Sequence, residues 1–240
     1  MSILPQPPRH PARQLAKRLL DILMPGSCLL CGGEGKGSLL CADCENDLPA
    51  LPSPNCPNCA IPTTYGERCG ACLKSPPAFE HAVALYAYDF PADRLIHNLK
   101  YGHQLAIAGW LGEKLARQLT NTQIDLILPL PLHPARLRER GFNQSAELAK
   151  GIGNHLNLPV DRDNLLRLRA TPPQAELPLK ERHKNVRGAF ECRVDLTGRR
   201  LLLVDDVMTS GATVNECARI LKLHGASEIT VAVAARALKH

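Results

Sequence analysis

The chain has 240 residues, of which 45% are hydrophobic and 22% are charged, and its formal net charge at pH 7 is +6. This composition is ordinary for a globular protein that buries its own core. Aromatic residues make up 4% of the chain, which disfavours proteins that stack single-stranded bases on aromatic side chains. No apolar run approaches the roughly 18 to 20 residues of a membrane-spanning helix, and residues 1–11 are too rich in proline for a secretory signal. We therefore expect a cytoplasmic protein without a transmembrane segment.

Residues 1–25 are predicted to contain a basic amphipathic helix, which covers residues 12–24. Leucine and isoleucine supply its apolar side, whereas Arg13, Lys17 and Arg18 supply positive charge. A helix of this kind can lie on a membrane surface. Packing against the module that follows is the favoured interpretation.

The next segment is dominated by cysteine, because eight of the ten cysteines lie between residues 28 and 72. They form four Cys-x-x-Cys pairs, and the last two pairs repeat the spacing of the first two at a period of 28 residues, which indicates a duplicated unit. Two such pairs supply the four thiolates of a tetrahedral structural zinc, and in a reducing compartment this pattern favours metal over disulfides. We predict two structural zinc ions, with the ligands Cys28, Cys31, Cys41, Cys44, Cys56, Cys59, Cys69 and Cys72.

The grouping of these ligands is open at this point. Two ribbons in sequence, one from the first four cysteines and one from the last four, is the simplest arrangement, but a cross-braced or nested arrangement uses the same residues. An iron–sulfur cluster is the minor alternative because its usual spacings differ, and a redox dithiol explains one pair but not four. Cys28→Ser or Cys56→Ser is expected to unfold this module and to spare the domain that follows. Cys192 and Cys217 are interpreted as buried apolar side chains.

After two prolines at 76 and 77 the sequence alternates between strand-like and helix-like apolar patterns. Such alternation predicts a parallel sheet flanked by helices, with ligands bound beyond the carboxyl ends of the strands. Strands are predicted at 82–88, 124–130, 199–204 and 229–235, and helices at 106–119, 143–155 and 213–224.

The most informative segment begins with the apolar run 201–204, which is typical of a central parallel strand. Asp205 and Asp206 follow directly, at what we expect to be the solvent-facing edge of the sheet, where they can accept hydrogen bonds from a ribose diol. The residues from Thr209 to Thr213 then combine hydroxyls, a glycine for a tight turn and the start of a helix, a combination that binds phosphate. A helix-capping role for the two acids is the simpler alternative, but it leaves the neighbouring phosphate-binding residues unexplained.

Residues 201–213 resemble the thirteen-residue signature of type I phosphoribosyltransferases at every important position. Three further motifs, at residues 128–132, 138–144 and 171–174, together with the eight cysteines, resemble the ComF family of late-competence proteins. That family joins a double zinc ribbon to a phosphoribosyltransferase-like domain. The resemblance covers residues 25–236, and one departure from it is Ala60, where the second zinc knuckle would be expected to have glycine.

The resemblance implies an α/β fold, in which a type I phosphoribosyltransferase-like parallel sheet with flanking helices at 78–240 follows a double zinc ribbon at 26–77. It also implies a role in competence and DNA uptake, with phosphoribosyl pyrophosphate and Mg²⁺ as ligands. If the protein is an enzyme, it transfers the phosphoribosyl group to an acceptor that the sequence does not identify. Lys100 also matches the family pattern, but its spacing suggests no chemical role.

The same resemblance assigns site residues. A loop at 131–143 would bind the pyrophosphate leaving group, with Arg140 as the best candidate because the next glycine lets the backbone approach. Asn143 is either the N-cap of the next helix or a ligand contact, and Gln144 is equally open. The predicted phosphoribosyl pyrophosphate-binding residues are Asp205, Asp206, Val207, Met208, Thr209, Ser210, Gly211, Ala212, Thr213 and Arg140.

Residues 169–187 would form a mobile loop that closes over the active site and excludes water, although a solvated surface loop is the simpler interpretation. Lys180, Arg182 or Lys184 in this loop could stabilise departing pyrophosphate. The predicted catalytic residues are Asp205, Asp206 and Arg182.

Charge distribution supports an alternative function. Residues 133–187 contain eleven Lys and Arg against six Asp and Glu, so this segment would attract a phosphorylated substrate or a nucleic-acid backbone; a solvated basic face is the simpler interpretation. Residues 28–72 contain two basic and five acidic residues, which favours protein docking over DNA binding by the ribbons. The alternative is therefore a non-catalytic factor that handles single-stranded DNA, or docks on the uptake machinery, on a transferase scaffold.

Overall fold

The computed structural model describes residues 26–35, 37–170 and 185–238. The predicted N-terminal helix, together with Lys180, Arg182 and Lys184, lies outside these residues. The described chain divides into two compact units between Leu48 and Pro49. The predicted domain boundaries after residues 25 and 77 stay predictions.

The first unit is a small cysteine-rich module. Its chain folds back on itself through a bridge between Ser27 and Glu34, and its one described helix is α1 (Ala42–Asn46), which starts directly after Cys41. Leu40 and Leu48 are buried, and they give this short unit a minimal apolar interior.

The second unit contains the predicted parallel sheet. Its strands are β1 (His81–Ala87), β2 (Leu126–Pro129), β5 (Arg200–Met208) and β6 (Glu228–Arg236), in the spatial order β1-β6-β5-β2 with every pair parallel. The two central strands are almost wholly buried, as expected for strands covered on both faces. A separate antiparallel pair consists of β3 (Leu165–Arg167) and β4 (Phe190–Cys192).

Helices cover both faces of this sheet. The described helices of the second unit are α2 (Gly70–Lys74), α3 (Ala92–Tyr101), α4 (Ala106–Gln118), α5 (Pro134–Arg140), α6 (Gln144–Leu156) and α7 (Ala212–Leu223). Helix α7 joins the apolar cluster that contains Leu201 and Leu203, whereas α6 contacts β5 and β2, and α4 contacts β1 and β6. Among the described residues, none of the helices is both long enough and apolar enough to span a membrane.

Two glycines set the position of α6. Gly112 of α4 and Gly151 of α6 meet so closely that a Cβ atom on Gly112 would lie 2.9 Å from the Cα of Gly151. Only glycine allows backbones to approach to this extent. The close packing brings the first residues of α6 to the carboxyl edge of the sheet, next to the end of β5.

Segments outside the named strands bond to both outer strands of the sheet. The amides of Ala82 and Ala87 on β1 donate to the carbonyls of Pro57 and Pro49, at 3.1 and 2.9 Å. On the opposite edge, Ile127 of β2 donates to the carbonyl of Pro159 at 3.0 Å. Three prolines thus supply the acceptors at the two outer edges.

The predicted alternation of strands and helices is confirmed, with shifts of a few residues at the ends, but three features differ. Strand β5 continues four residues beyond its predicted end, because β6 pairs with it as far as Met208. Helix α3 was not predicted. The predicted loop at 131–143 contains α5, which starts at Pro134 and ends at Gly141, a glycine with φ 80°.

Candidate functional site

The two predicted acids lie within β5 and not beyond it. Asp206 is 4% exposed, whereas Asp205 is partly exposed. The expectation that both stand at a solvent-facing edge is therefore wrong for Asp206, whose carboxylate is contacted by the side chains of Lys100 and Gln144.

The predicted phosphate-binding loop directly follows β5. Gly211 has φ 76°, a left-handed conformation, and it is the N-cap of the twelve-residue helix α7. Gly211 has no side chain with which to cap this helix, and the amide of Ala212 donates to Ser210 Oγ at 3.3 Å. Backbone amides at a helix N-terminus attract anions, so the loop has the local geometry of a phosphate site.

A cleft of about 440 Å³ opens at this carboxyl edge of the sheet. All nine residues from Asp205 to Thr213 line it, as does Arg140. The structure thus brings together every described residue that the sequence predicted for phosphoribosyl pyrophosphate. Cationic side chains that also line the cleft are Lys100, Arg136 and Arg167.

Lys100 is the site residue whose role sequence reasoning missed. Its ammonium group forms an ion pair with Asp206 Oδ2, and the lysine side chain is 21% exposed. Gln144 Nε2 lies 3.4 Å from the other oxygen of Asp206, and Ser145 Oγ donates to Asp205 at 2.9 Å. Both acids are therefore held by side chains from α3 and α6.

These contacts separate the protonation behaviour of the two acids. Burial and the charge of Asp206 raise the pKa of Asp205 to about 8, although the hydrogen bond from Ser145 acts in the opposite direction. Burial also acts to raise the pKa of Asp206, but the charge and hydrogen bond of Lys100 outweigh it and lower that pKa. Burial lowers the pKa of Lys100, and the charges of Asp206 and Asp205 raise it above its usual value. Lys100 and Asp206 thus favour their charged forms, whereas the site disfavours the charged form of Asp205.

Arg140 is held in the cleft by two contacts. Its Nη1 donates to Gln144 Oε1 at 2.7 Å, and its guanidinium carbon lies 5.2 Å from the centre of the Tyr101 ring. Arg136 also lines the cleft, whereas Arg138 is exposed and is not among the lining residues. The glycine after Arg140 is the C-cap of α5, and the backbone approach to ligand that was predicted there stays a prediction.

Asn143 caps α6. Its Oδ1 accepts from the amide of Ser145 at 3.0 Å, while its Nδ2 donates to the carbonyl of Leu130 at 2.9 Å. Both ends of this side chain are therefore used within the fold, which decides in favour of the capping role. Gln144, the other open case, does line the cleft.

The predicted mobile loop is described at its ends. Arg169 donates to the carbonyls of Asn185 and Arg187, at 3.1 and 2.8 Å, so the two ends of the segment are held together. Arg167 lies at the end of β3, where its guanidinium carbon is 5.5 Å from the centre of the Phe190 ring. The catalytic role predicted for Arg182 lies outside the described residues and stays a prediction.

The eight cysteines form two groups in sequence order. All sulfur atoms lie within 4.8 Å of one another in the group of Cys28, Cys31, Cys41 and Cys44, and the same holds for Cys56, Cys59, Cys69 and Cys72. Tetrahedral zinc with Zn–S bonds of about 2.3 Å places its sulfurs about 3.8 Å apart, and the sulfurs of Cys31 and Cys41 are 3.8 Å apart. The sequential grouping is thus the one that the fold adopts, and both groups fit a structural zinc. Cys192 and Cys217 are buried, as predicted.

The alanine in the second knuckle keeps the geometry of the glycine in the first. Gly32 has φ 74° and Ala60 has φ 57°, and each amide donates to the first cysteine of its group at 2.8 Å. A left-handed alanine costs roughly 1–2 kcal/mol. The methyl group of Ala60 is buried in the apolar cluster of the second unit, which offsets part of that cost.

Comparison with known proteins gives the family. A double zinc ribbon domain matches residues 19–73, and a phosphoribosyl transferase domain matches residues 146–239. The DNA utilization protein YhgH of Escherichia coli K12 is 34% identical over 224 residues, 88% of this chain and 96% of the relative. Competence protein F of Haemophilus influenzae is 32% identical over 213 residues, 82% of this chain and 90% of the relative. The chain belongs to the ComF family.

Structural likeness is weaker than this sequence likeness. The adenine phosphoribosyltransferase of Thermoanaerobacter pseudethanolicus matches with a TM-score of 0.37 at 17% identity, over 56% of this chain and 82% of the other. Family membership of this chain therefore rests on the sequence relatives and on the two domain matches.

In this ComF-family chain, an arginine connects the second zinc ribbon to the predicted phosphate-binding loop. Arg236 is 3% exposed at the end of β6, and its Nε donates to the carbonyl of Cys59 at 2.8 Å. Its Nη1 donates to Met208 at 2.8 Å and to Ala237 at 2.7 Å, and it also contacts the carbonyl of Thr209. Burial lowers the pKa of Arg236, and the second cysteine group acts to raise it.

Proposed function

We propose that this protein binds phosphoribosyl pyrophosphate with Mg²⁺ in the cleft at the end of β5. The observation that carries the proposal is one continuous wall of the cleft: two acids near the end of the strand, then a left-handed Gly211 and the start of α7. In the proposed complex the 5-phosphate lies on the amides of residues 209–213, and Asp205 and Asp206 accept the ribose hydroxyls.

The cations of the cleft suit the remaining charge of this ligand. Arg140 is positioned for the pyrophosphate, since a guanidinium binds phosphate oxygens in a bidentate manner. Lys100 lies beside Asp206 and is a second candidate for a pyrophosphate oxygen. Mg²⁺ would neutralise and bridge the pyrophosphate and ribose oxygens, with few direct protein ligands.

As an enzyme, the protein would catalyse displacement at ribose C1. The bond from C1 to the pyrophosphate oxygen breaks, a bond from C1 to a nitrogen acceptor forms, and pyrophosphate leaves with the bonding electrons. Catalysis would come from positioning and from stabilisation of charge by the cleft. The acceptor is best sought by measuring pyrophosphate release over a panel of nucleobases, amines and DNA.

We also propose that the protein acts in competence and DNA uptake. This part rests on the relatives, which are named for DNA utilization and competence, and on the positive charge of residues 133–187. The alternative is a DNA-handling factor that catalyses no reaction. It would use the same basic segment, and it would need no acceptor for the phosphoribosyl group.

Gly211→Val should weaken binding of phosphoribosyl pyrophosphate at least tenfold. A β-branched residue resists a φ of 76°, and the amides that bind phosphate would turn away. Gly198→Val is the matched control, since Gly198 has φ 74° and open space around its Cβ position but precedes β5 at the opposite edge. Calorimetry with Mg²⁺ measures the affinity, and wild-type protein that registers no heat at millimolar ligand would sink the proposal.

If DNA binds the basic segment, its affinity for single-stranded DNA should fall steeply with salt. Each neutralised phosphate contributes about −0.7 to the slope of log K against log salt. Arg138→Ala should reduce the slope by about that amount, whereas Arg117→Ala, an exposed arginine paired with Glu113 on α4, should leave it unchanged. Fluorescence anisotropy between about 50 and 300 mM salt tests this, and an affinity that does not change with salt contradicts the DNA-binding proposal.

A further inference from the structure

Arg236 is buried, cationic and bonded to carbonyl oxygens from two functional parts of the second unit. One is Cys59, a ligand in the second cysteine group, and the others, Met208 and Thr209, begin the phosphate-binding loop. Among the described residues, no carboxylate forms an ion pair with this guanidinium. Its positive charge is therefore stabilised by the backbone carbonyls that accept its hydrogen bonds.

Zinc would hold the Cys59 carbonyl in place. Cys59 is one of the four cysteines that would bind the metal, and its backbone carbonyl accepts from Arg236 Nε. Structural zinc orders the segment that carries its ligands, so this carbonyl is held less firmly without metal. A buried donor that loses its acceptor is costly, and the same guanidinium binds the carbonyls of Met208 and Thr209.

We propose that Arg236 is a positioning residue that couples the second zinc site to the phosphate-binding loop. With zinc bound, Arg236 fixes the carbonyls of residues 208 and 209, and the following amides point into the cleft. Without zinc, the Cys59 carbonyl is no longer held in place, Arg236 loses this acceptor, the loop loosens and its affinity for phosphate falls. This inference rests on the proposed function for its ligand, although the loop itself can be tested without ligand.

Arg236→Met removes the guanidinium and keeps an apolar stem. The amides of residues 209–213 should then exchange hydrogen at least tenfold faster, and affinity for phosphoribosyl pyrophosphate with Mg²⁺ should fall at least tenfold, while the protein keeps two zinc ions. Arg236→Lys keeps the charge but cannot reach all the carbonyls, so it should give intermediate values. Arg200→Met is the matched control, because Arg200 binds Asp125 at the opposite end of β5.

Coupling also works in reverse, because linkage between two sites is reciprocal. Saturating phosphoribosyl pyrophosphate should strengthen zinc retention against a chelator at one of the two sites, on the order of fivefold. Arg236→Met should abolish this protection. A purely structural arginine would change the melting temperature but not the effect of ligand on zinc.

The outcomes separate the two proposals. Faster exchange in the loop without any ligand binding by the wild type would support the coupling and overturn the proposed function. Normal binding and normal exchange in Arg236→Met would overturn the coupling and leave the proposed function intact. If Arg236→Met does not fold, Arg236→Lys and the zinc-retention measurement on the wild type decide, and an equal chelation rate with and without bound ligand overturns the coupling.

Discussion

Asp206→Asn should destabilise the protein, whereas Asp205→Asn should stabilise it, although the two acids are neighbours and both should be needed for ligand binding. Asp206 is the partner of Lys100, so its replacement removes the ion pair of a largely buried ammonium. Breaking a buried pair in this way costs on the order of 3 kcal/mol of unfolding free energy. Asp205 has the opposite environment, because burial and Asp206 penalise its charge.

The pH dependence of these two variants should also be opposite. The pKa of Asp206 is lowered by folding, so its contribution is present above about pH 3.9 and disappears as the pH falls through its folded value. The loss of unfolding free energy in Asp206→Asn should therefore be full at neutral pH and should become smaller in acid. The pKa of Asp205 rises to about 8 on folding, so stability is lost between about pH 3.9 and pH 8. The gain of Asp205→Asn should accordingly be largest above pH 8.

Thermal melts from about pH 3 to about pH 9 would measure this, since about 1 kcal/mol shifts the melting temperature of a domain of this size by about 2–4 °C. Asp163→Asn, an exposed acid outside the cleft, is the control and should change neither curve. Calorimetry should show weaker binding of phosphoribosyl pyrophosphate in both cleft variants. Equal and parallel melting curves for the two would contradict the charge arrangement described for the cleft.

Cys56→Ser should destabilise the sheet domain, whereas Cys28→Ser should not. Each variant is expected to reduce zinc from about two ions per chain to one, and structural zinc typically contributes 10–16 kcal/mol to folding. The consequences differ because the second ribbon bonds directly to the sheet. Asn58 donates to the carbonyl of Glu80 at 2.7 Å, and the carbonyl of Cys59 accepts from Arg236.

Metal analysis together with a thermal melt followed by circular dichroism would test this difference. The melting temperature of the sheet domain should fall by many degrees in Cys56→Ser and should keep its wild-type value in Cys28→Ser. This revises the sequence-based expectation, in which both variants spare the sheet domain. Identical sheet transitions in the two variants, each with one zinc, would restore the original expectation.

Much of the fold was predictable because its signals are local. The uninterrupted apolar runs of β5 and β6 indicate buried parallel strands, and the cysteine spacing indicates zinc ribbons. Two missed helices also had local signals. Buried Leu95, Ile96 and Leu99 of α3 have helical spacing, and α5 has a proline at its first position and a glycine after its last.

The arrangement inside the cleft was not predictable in the same way. Lys100 and Asp206 come from distant parts of the chain, and Arg236 and Cys59 are 177 residues apart. Neither pairing leaves a trace in local periodicity, because each depends on how α3 and the second ribbon pack against the sheet. The burial of Asp206 has the same origin, since Lys100 of α3 and Gln144 of α6 contact its carboxylate.

The prolines that border the sheet have a consequence for association between copies of the protein. An exposed edge strand offers free amides and carbonyls to another chain and is a common origin of aggregation. Here Pro49, Pro57 and Pro159 accept hydrogen bonds from β1 and β2, yet a proline has no amide hydrogen with which to continue a ladder. The segments that contain these prolines bond to the outer edges of β1 and β2 without forming named strands themselves. We therefore expect the four-stranded sheet to resist edge-to-edge growth into larger β assemblies.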